Sequence, residues 1–178
     1  MISKRLELVA SFVPQGAILL DVGSDHAYLP IELVERGQIK SAIAGMGGRL
    51  IARILEEGLG KLANVERLIL QPNNREDDLR IWLQDNGFQI VAESILEEAG
   101  KFYEILVVET GQMKLSASDV RFGPFLSKEL SPFFVQKWQK EAEKLEFALG
   151  QIPEKNLEER QVLVDKIQAI KEVLHASK

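Results

Sequence analysis

The sequence predicts an α/β fold: a mostly parallel sheet that closes with an antiparallel hairpin, followed by a C-terminal two-helix hairpin. Three observations carry this prediction. Short apolar runs at 17–22, 40–44 and 67–71 alternate with amphipathic segments, and two longer strand-like runs, 88–96 and 102–109, are joined by Glu97-Glu98-Ala99-Gly100-Lys101. Beyond a stretch marked by Gly111, Gly123, Pro124 and Pro132, apolar residues recur at helical spacing. Alternation implies parallel strands with helices on both faces, and a short Gly-containing connection implies antiparallel neighbours.

The elements follow in order. Ser3 can cap a helix whose Ile2, Leu6, Val9 and Val13 recur at helical spacing, and Pro14 with Gly16 stops it. Ala17-Ile18-Leu19-Leu20-Asp21-Val22 is an apolar run with an acid near its end, as in a strand buried on both faces. A Gly-Ser-Asp-His turn follows, and Pro30 opens a helix through Leu33 and Val34 that ends near Gly37. The run 40–44 reads as a short strand leading into the loop Gly45-Met46-Gly47-Gly48, after which a helix continues to Gly58. Strand 67–71 and the turn Pro72-Asn73-Asn74 precede a helix over 75–86 with Leu79, Trp82 and Leu83 inward; Gly87 stands where a helix stop belongs. Residues 1–112 thus form the body. Residues 113–178 comprise a linker and two antiparallel helices, one striped by Phe134, Trp138, Leu145 and Leu149, the other by Leu157, Val164, Ile167, Ile170 and Leu174. The Phe134 and Trp138 stripe reads as packing rather than as a base-stacking platform.

Composition narrows the chemistry. The 178 residues are 46% hydrophobic and 28% charged, enough for one domain with an appendage. No cysteine is present, which removes disulfides, thiolate metal sites and cysteine nucleophiles, and with only two histidines no metal site is expected. The apolar stretch at the N-terminus is interrupted by Glu7, and no run approaches a membrane span, so a cytoplasmic protein is the expectation. The net charge of −5 excludes a uniformly basic surface. Lys and Arg number 12 against 17 Asp and Glu over 1–115, and 10 against 10 over 116–178, so a nucleic acid would have to be held by a local patch.

The strongest site candidate is the turn after the first strand. A strand ending in Asp21-Val22-Gly23 followed by a helix places backbone N–H groups at the carboxyl edge of the sheet, where doubly wound folds bind ligands. Ser24-Asp25-His26 replaces the further glycines of the dinucleotide fingerprint, which counts against a nicotinamide-dependent oxidoreductase. Asp25 beside the ligand disfavours a pyrophosphate and favours a cofactor carrying positive charge. Taken alone, Asp25 equally suits a helix cap, His26 a turn position and His175 a helix end.

The run 21–30, Ile43-Ala44-Gly45-Met46-Gly47-Gly48, Leu68-Ile69-Leu70-Gln71-Pro72-Asn73, Tyr103-Glu104 and Gly123-Pro124-Phe125-Leu126 together resemble the bacterial tRNA (adenine-22-N1)-methyltransferases. The resemblance implies a Rossmann-like methyltransferase sheet, a coiled-coil-like C-terminal hairpin, S-adenosyl-L-methionine as donor and tRNA as partner. Matched position by position, it makes Asp25 the catalytic acid and gives Asp21, Gly23, Ser24, His26 and Gly45 to the cofactor. Tyr28, Met46, Gly47, Gly48 and Asn73 fall to the pocket for the target base.

One departure stands out. Residues 40–45 match the end of that fold's second strand, while 43–48 match the end of its fourth, and the two matches share Ile43-Ala44-Gly45. About two strand and helix units are missing between them. The absent part would carry the acid that binds the ribose hydroxyls and the residues beside the adenine ring, so a weakened cofactor site is expected. The competing reading is a non-catalytic RNA- or protein-binding module that uses the hairpin and positions such as Lys137, Lys140 and Lys144. The sequence leaves the oligomeric state undetermined.

Overall fold

The computed structural model describes residues 4–13, 19–22, 41–59 and 65–176. In chain order these form α1 (Lys4–Ser11), β1 (Leu19–Val22), β2 (Ser41–Met46), α2 (Gly48–Gly58), β3 (Arg67–Pro72) and α3 (Glu76–Asp85). Then come β4 (Phe88–Glu98), β5 (Lys101–Thr110), α4 (Ala117–Phe122), α5 (Leu126–Glu129), α6 (Pro132–Gln151) and α7 (Leu157–His175). The expected helix after Pro30 lies outside the described residues.

The five described strands form one sheet in the order β1-β2-β3-β5-β4. β1, β2 and β3 are parallel, with Val22 level with Ala44 and Met46 level with Pro72. β5 runs antiparallel to both β3 and β4. The hairpin turns at Ala99 and Gly100, both at positive φ (52° and 78°). Two consecutive left-handed residues give the twist that a tight hairpin of right-twisted strands needs.

Side-chain alternation splits the core between the two faces of the sheet. Leu68, Leu70, Leu106 and Val108 join Ile51, Leu55, Leu79 and Leu83 of α2 and α3 in one apolar cluster. Ile69 and Ile105, pointing the other way, join Val9 of α1 and Leu96 in a second. Burying such side chains stabilises by about 1.5–3 kcal/mol each, so α2, α3 and α1 are held by their apolar faces.

Two expectations change in the body. Gly45 and Met46, read as loop, are strand residues because they pair with Gln71 and Pro72, and the loop shrinks to Gly47. The linker contains helices: Ser116 and Asp119 form a reciprocal capping box that starts α4, a signal of two positions that periodicity over six residues does not reveal. By its contacts the chain divides into two compact units, Met1–Phe125 and Leu126–Lys178. Residues 113–125 stay with the first unit through α4 and its bonds to α3 and β4, described below.

Within the second unit, α6 is capped by Ser131, whose Oγ accepts from the Phe134 N–H at 3.4 Å, with Pro132 opening the helix. Phe134, Trp138, Ala142, Ile167 and Ile170 are buried. Arg160 Nη1 donates to the carbonyls of Leu149 (3.0 Å) and Ile152 (2.7 Å), and Lys171 meets Glu146 at 2.8 Å, so α6 and α7 run side by side in opposite senses. Leu157 and Val164, assigned to the inward stripe, are 73% and 42% exposed. At about 100° per residue the seam follows 160, 163, 167, 170 and 174, and Val164 lies one step off it.

Candidate functional site

The carboxyl ends of β1, β2 and β3 lie on one edge of the sheet, and the predicted site residues that the structure describes gather there. Asp21 sits one residue before the end of β1, level with Ile43. Gly45 is level with Gln71 and Met46 with Pro72, the last residues of β2 and β3. Met46 is half-buried and packs on the α2–α3 core, so it underpins the edge. Gly23, Ser24, Asp25, His26 and Tyr28 lie outside the described residues.

Backbone contacts lock the loops after β2 and β3 together. The Asn73 N–H donates to the Met46 carbonyl and the Gly48 N–H to the Asn74 carbonyl, both at 2.9 Å. A Cβ at Gly48 would stand 2.3 Å from the Arg75 carbonyl oxygen and 2.9 Å from that of Asn74. Only glycine permits this approach. At Gly47 a Cβ would meet Asn74 Oδ1 at 3.1 Å, a tight contact with a side chain that can shift. The glycines predicted to shape the pocket thus let two chain segments touch.

The side chains on this edge are polar. Gln71 is buried and its Nε2 donates to Asn73 Oδ1 at 2.8 Å, which fixes the Asn73 carboxamide from below. Asn74 and Arg75 are exposed. Arg75, expected as the first helical residue, instead sits in the left-handed region at φ 55°, ψ 44° and caps α3 from outside. That conformation costs an arginine about 1 kcal/mol, and the Gly48 clamp holds it. Arg49, on the first turn of α2, pairs with Asp78 of α3. Among these, Gln71, Asn74 and Arg75 are not among the site residues expected from the sequence, and nothing local marks a left-handed arginine.

The other motif residues, Glu104 and Gly123-Pro124-Phe125, assemble elsewhere. Arg80, buried on α3, donates through Nε (3.0 Å) and Nη2 (2.8 Å) to Glu93 Oε1 and through Nη2 to Glu104 Oε2 (2.6 Å). Its Nη1 reaches the Val120 carbonyl at 3.2 Å, and the Phe125 N–H donates to Glu93 Oε2 at 2.9 Å. Gly123, at φ 88°, leaves no room for a Cβ, which would lie 2.6 Å from Glu93 Oε2. Burial pushes the Glu93 carboxyl above its usual range, and the pull of Arg80 does not cancel it. Burial also works against the Arg80 charge, but Glu104 and Glu93 outweigh it and hold the guanidinium more firmly protonated than usual. The cluster ties α3, β4, β5 and the segment through Phe125 together; its role is structural.

Among the described residues, no group of three or more His, Asp or Glu is placed to hold a metal ion. No described helix is long and apolar enough to cross a membrane.

Comparison with known proteins adds a family. A family model described as tRNA (adenine(22)-N(1))-methyltransferase matches residues 40–172, and a general methyltransferase-domain model matches 2–44. The two overlap at 40–44, where the sequence shows its double match. A tRNA (adenine(22)-N(1))-methyltransferase of Bacillus subtilis is 35% identical, with 97% of each chain covered. That alignment spans 231 positions against a chain of 178, so at least 53 positions of the relative have no counterpart here. A Streptococcus pneumoniae structure assigned as a tRNA (m1A22) methyltransferase superposes with a TM-score of 0.87 at 76% identity, covering 98% of this chain and 100% of that one. Its complex with S-adenosyl-L-methionine gives 0.82 at 73% identity, with 98% and 100% covered.

Proposed function

Because the chain belongs to the tRNA (adenine(22)-N(1))-methyltransferase family, we propose that the carboxyl edge of β1, β2 and β3 is its catalytic edge and that Asp25 is its catalytic carboxylate. The chain is a class I methyltransferase with a Rossmann-like fold. It transfers a methyl group from S-adenosyl-L-methionine to N1 of an adenine in tRNA, the adenine at position 22, and acts in the cytoplasm where tRNA is found. The observation that carries this reading is the family match along 40–172, which includes both clamped loops of the edge. It favours catalysis over a binding module that uses the coiled-coil-like hairpin alone.

The donor brings an electrophilic methyl on a positively charged sulfur. Adenine N1 has a free lone pair at neutral pH, so attack needs alignment more than a strong base. Asp25 accepts a hydrogen bond from the exocyclic amine and stabilises the positive charge that the base acquires, an electrostatic contribution. Asp21, Gly23, Ser24, His26 and Gly45 hold the donor. Tyr28, Gly47, Gly48 and Asn73 shape the base pocket above Met46, and the clamp between the loops keeps it from spreading. Because N1 is engaged when adenine is paired, the target base is unpaired or turned out of the stack.

The sheet supplies one side of the donor pocket. In a doubly wound sheet the strand order reverses at the first strand, which then has neighbours on both sides. Here β1 has β2 as its neighbour among the described strands, and relatives carry at least 53 further positions. Loss of a carboxylate that binds the ribose hydroxyls weakens donor binding about tenfold to a hundredfold.

The test is methyl transfer from labelled S-adenosyl-L-methionine to unmodified tRNA by the purified chain, with the product mapped by nuclease digestion. Transfer to adenine N1 that is lost in Asp25→Ala is expected. Absence of transfer at saturating donor defeats the functional reading, and undiminished transfer by Asp25→Ala defeats the role of Asp25.

A further inference from the structure

We propose that Arg75 contacts a phosphate of the tRNA backbone beside the target nucleotide. The proposal rests on the methyltransferase reading above, since it takes tRNA as the molecule that approaches this edge.

Three observations single Arg75 out. First, its position is rigid: its backbone abuts Gly48, the Gly48 N–H bonds to the neighbouring Asn74 carbonyl, and the Asn73 N–H bonds to Met46. It therefore stands immediately beside the loop that shapes the base pocket. Second, it holds a left-handed conformation, φ 55°, that an arginine adopts at a cost. Asparagine or glycine would complete the same turn with smaller strain, so the turn itself does not call for an arginine.

Third, its guanidinium is unengaged. Arg5 lies over the Tyr103 ring, Arg49 meets Asp78, Arg53 meets Glu57, Arg67 meets Glu109, and Arg80 is enclosed by Glu93 and Glu104. Arg121 lies over Phe122. Among the described arginines of the first unit, Arg75 is the one whose guanidinium has neither hydrogen bond, ion pair nor ring contact, and it is exposed.

The surroundings explain why a free cation belongs there. The first turn of α3 carries Glu76, Asp77 and Asp78, and the chain has a net charge of −5. A phosphate nearing this edge meets a repulsive field, which Arg49 offsets only at Asp78. A second cation, free to point outward, makes the approach favourable. An arginine matches two phosphate oxygens through parallel N–H groups.

The experiment is tRNA binding by the full chain over a salt series, for wild type, Arg75→Gly, Arg75→Lys and Lys114→Ala. Arg75→Gly removes the charge while relieving the left-handed strain, so it preserves the fold. Lys114, exposed and beyond the end of β5 at the opposite edge of the sheet, is the charge-matched control. Arg75→Gly is expected to weaken binding roughly three- to tenfold and to lower the slope of log affinity against log salt by about 0.7–0.9, the loss of one phosphate contact. Arg75→Lys should keep the slope, and Lys114→Ala should match wild type. A wild-type slope in Arg75→Gly, or an equal loss in Lys114→Ala, overturns the proposal. Wild type that fails to bind tRNA overturns the functional reading itself, which the variants alone cannot do.

Discussion

The edge formed by β1, β2 and β3 and the cluster around Arg80 are both tight places in one sheet, but they are tight for opposite reasons. At the edge the main chain does most of the holding: Gly48 and Asn74, Asn73 and Met46 bond through backbone groups, with one side-chain bond from Gln71 to Asn73 beneath them. Around Arg80 the side chains do the holding: one guanidinium is enclosed by two carboxylates and the Val120 carbonyl, and the Phe125 N–H donates to one of those carboxylates, Glu93. The edge proposed to admit a cofactor and a base fixes its backbone and leaves Asn73, Asn74 and Arg75 exposed. A structural joint spends its polar side chains on one another. Motif residues occur in both, so membership in a family motif does not by itself mark a residue as catalytic.

The largest effect that breaks this contrast is expected from Arg80→Ala. Two buried carboxylates would lose their shared partner, and removal of one member of a buried ion cluster costs about 3–5 kcal/mol. Urea unfolding should report the loss. A cost below about 1 kcal/mol would mean that water reaches the cluster and that it joins nothing.

Gly48→Ala comes next. The new methyl meets backbone oxygens that cannot rotate away, and overpacking of this kind costs about 1–3 kcal/mol. Unlike Arg80→Ala, it should abolish methyl transfer even where urea unfolding shows the protein folded, because relief of the clash separates the two loops of the pocket. Full activity in a folded Gly48→Ala protein would show that the clamp does not shape the site.

Glu93→Gln is the gentlest probe. The Glu93 carboxyl titrates above its usual value of 4.5 because burial disfavours its charge. A group whose pKa is raised in the fold favours the folded state most below its unfolded pKa, and that contribution is lost as pH rises through the folded value. Glutamine stays neutral. The stability of Glu93→Gln relative to wild type should therefore shift in the variant's favour as pH climbs from about 4.5 towards neutrality. A constant difference across that range would place the proton elsewhere in the cluster.

Much of this molecule is legible without coordinates. The alternation of 17–22, 40–44 and 67–71 with amphipathic segments specifies parallel strands, and Ala99-Gly100 specifies a tight hairpin, because periodicity and turn chemistry act between near neighbours. The motif at 43–48 and the doubled match at 43–45 likewise announce the family and its missing segment. What only the tertiary structure decided are the partnerships of residues far apart in the chain. Arg80 looks like a surface residue of a helix until β4 and β5 bring Glu93 and Glu104 to it, and Val164 fits an apolar stripe until the seam with α6 passes on the other side. Arg75 looks helical until Gly48, 27 positions earlier, presses against its carbonyl. Burial of charge, the side of a helix that finds a partner and a backbone held against its preference all depend on where a second segment arrives, and no local pattern encodes that.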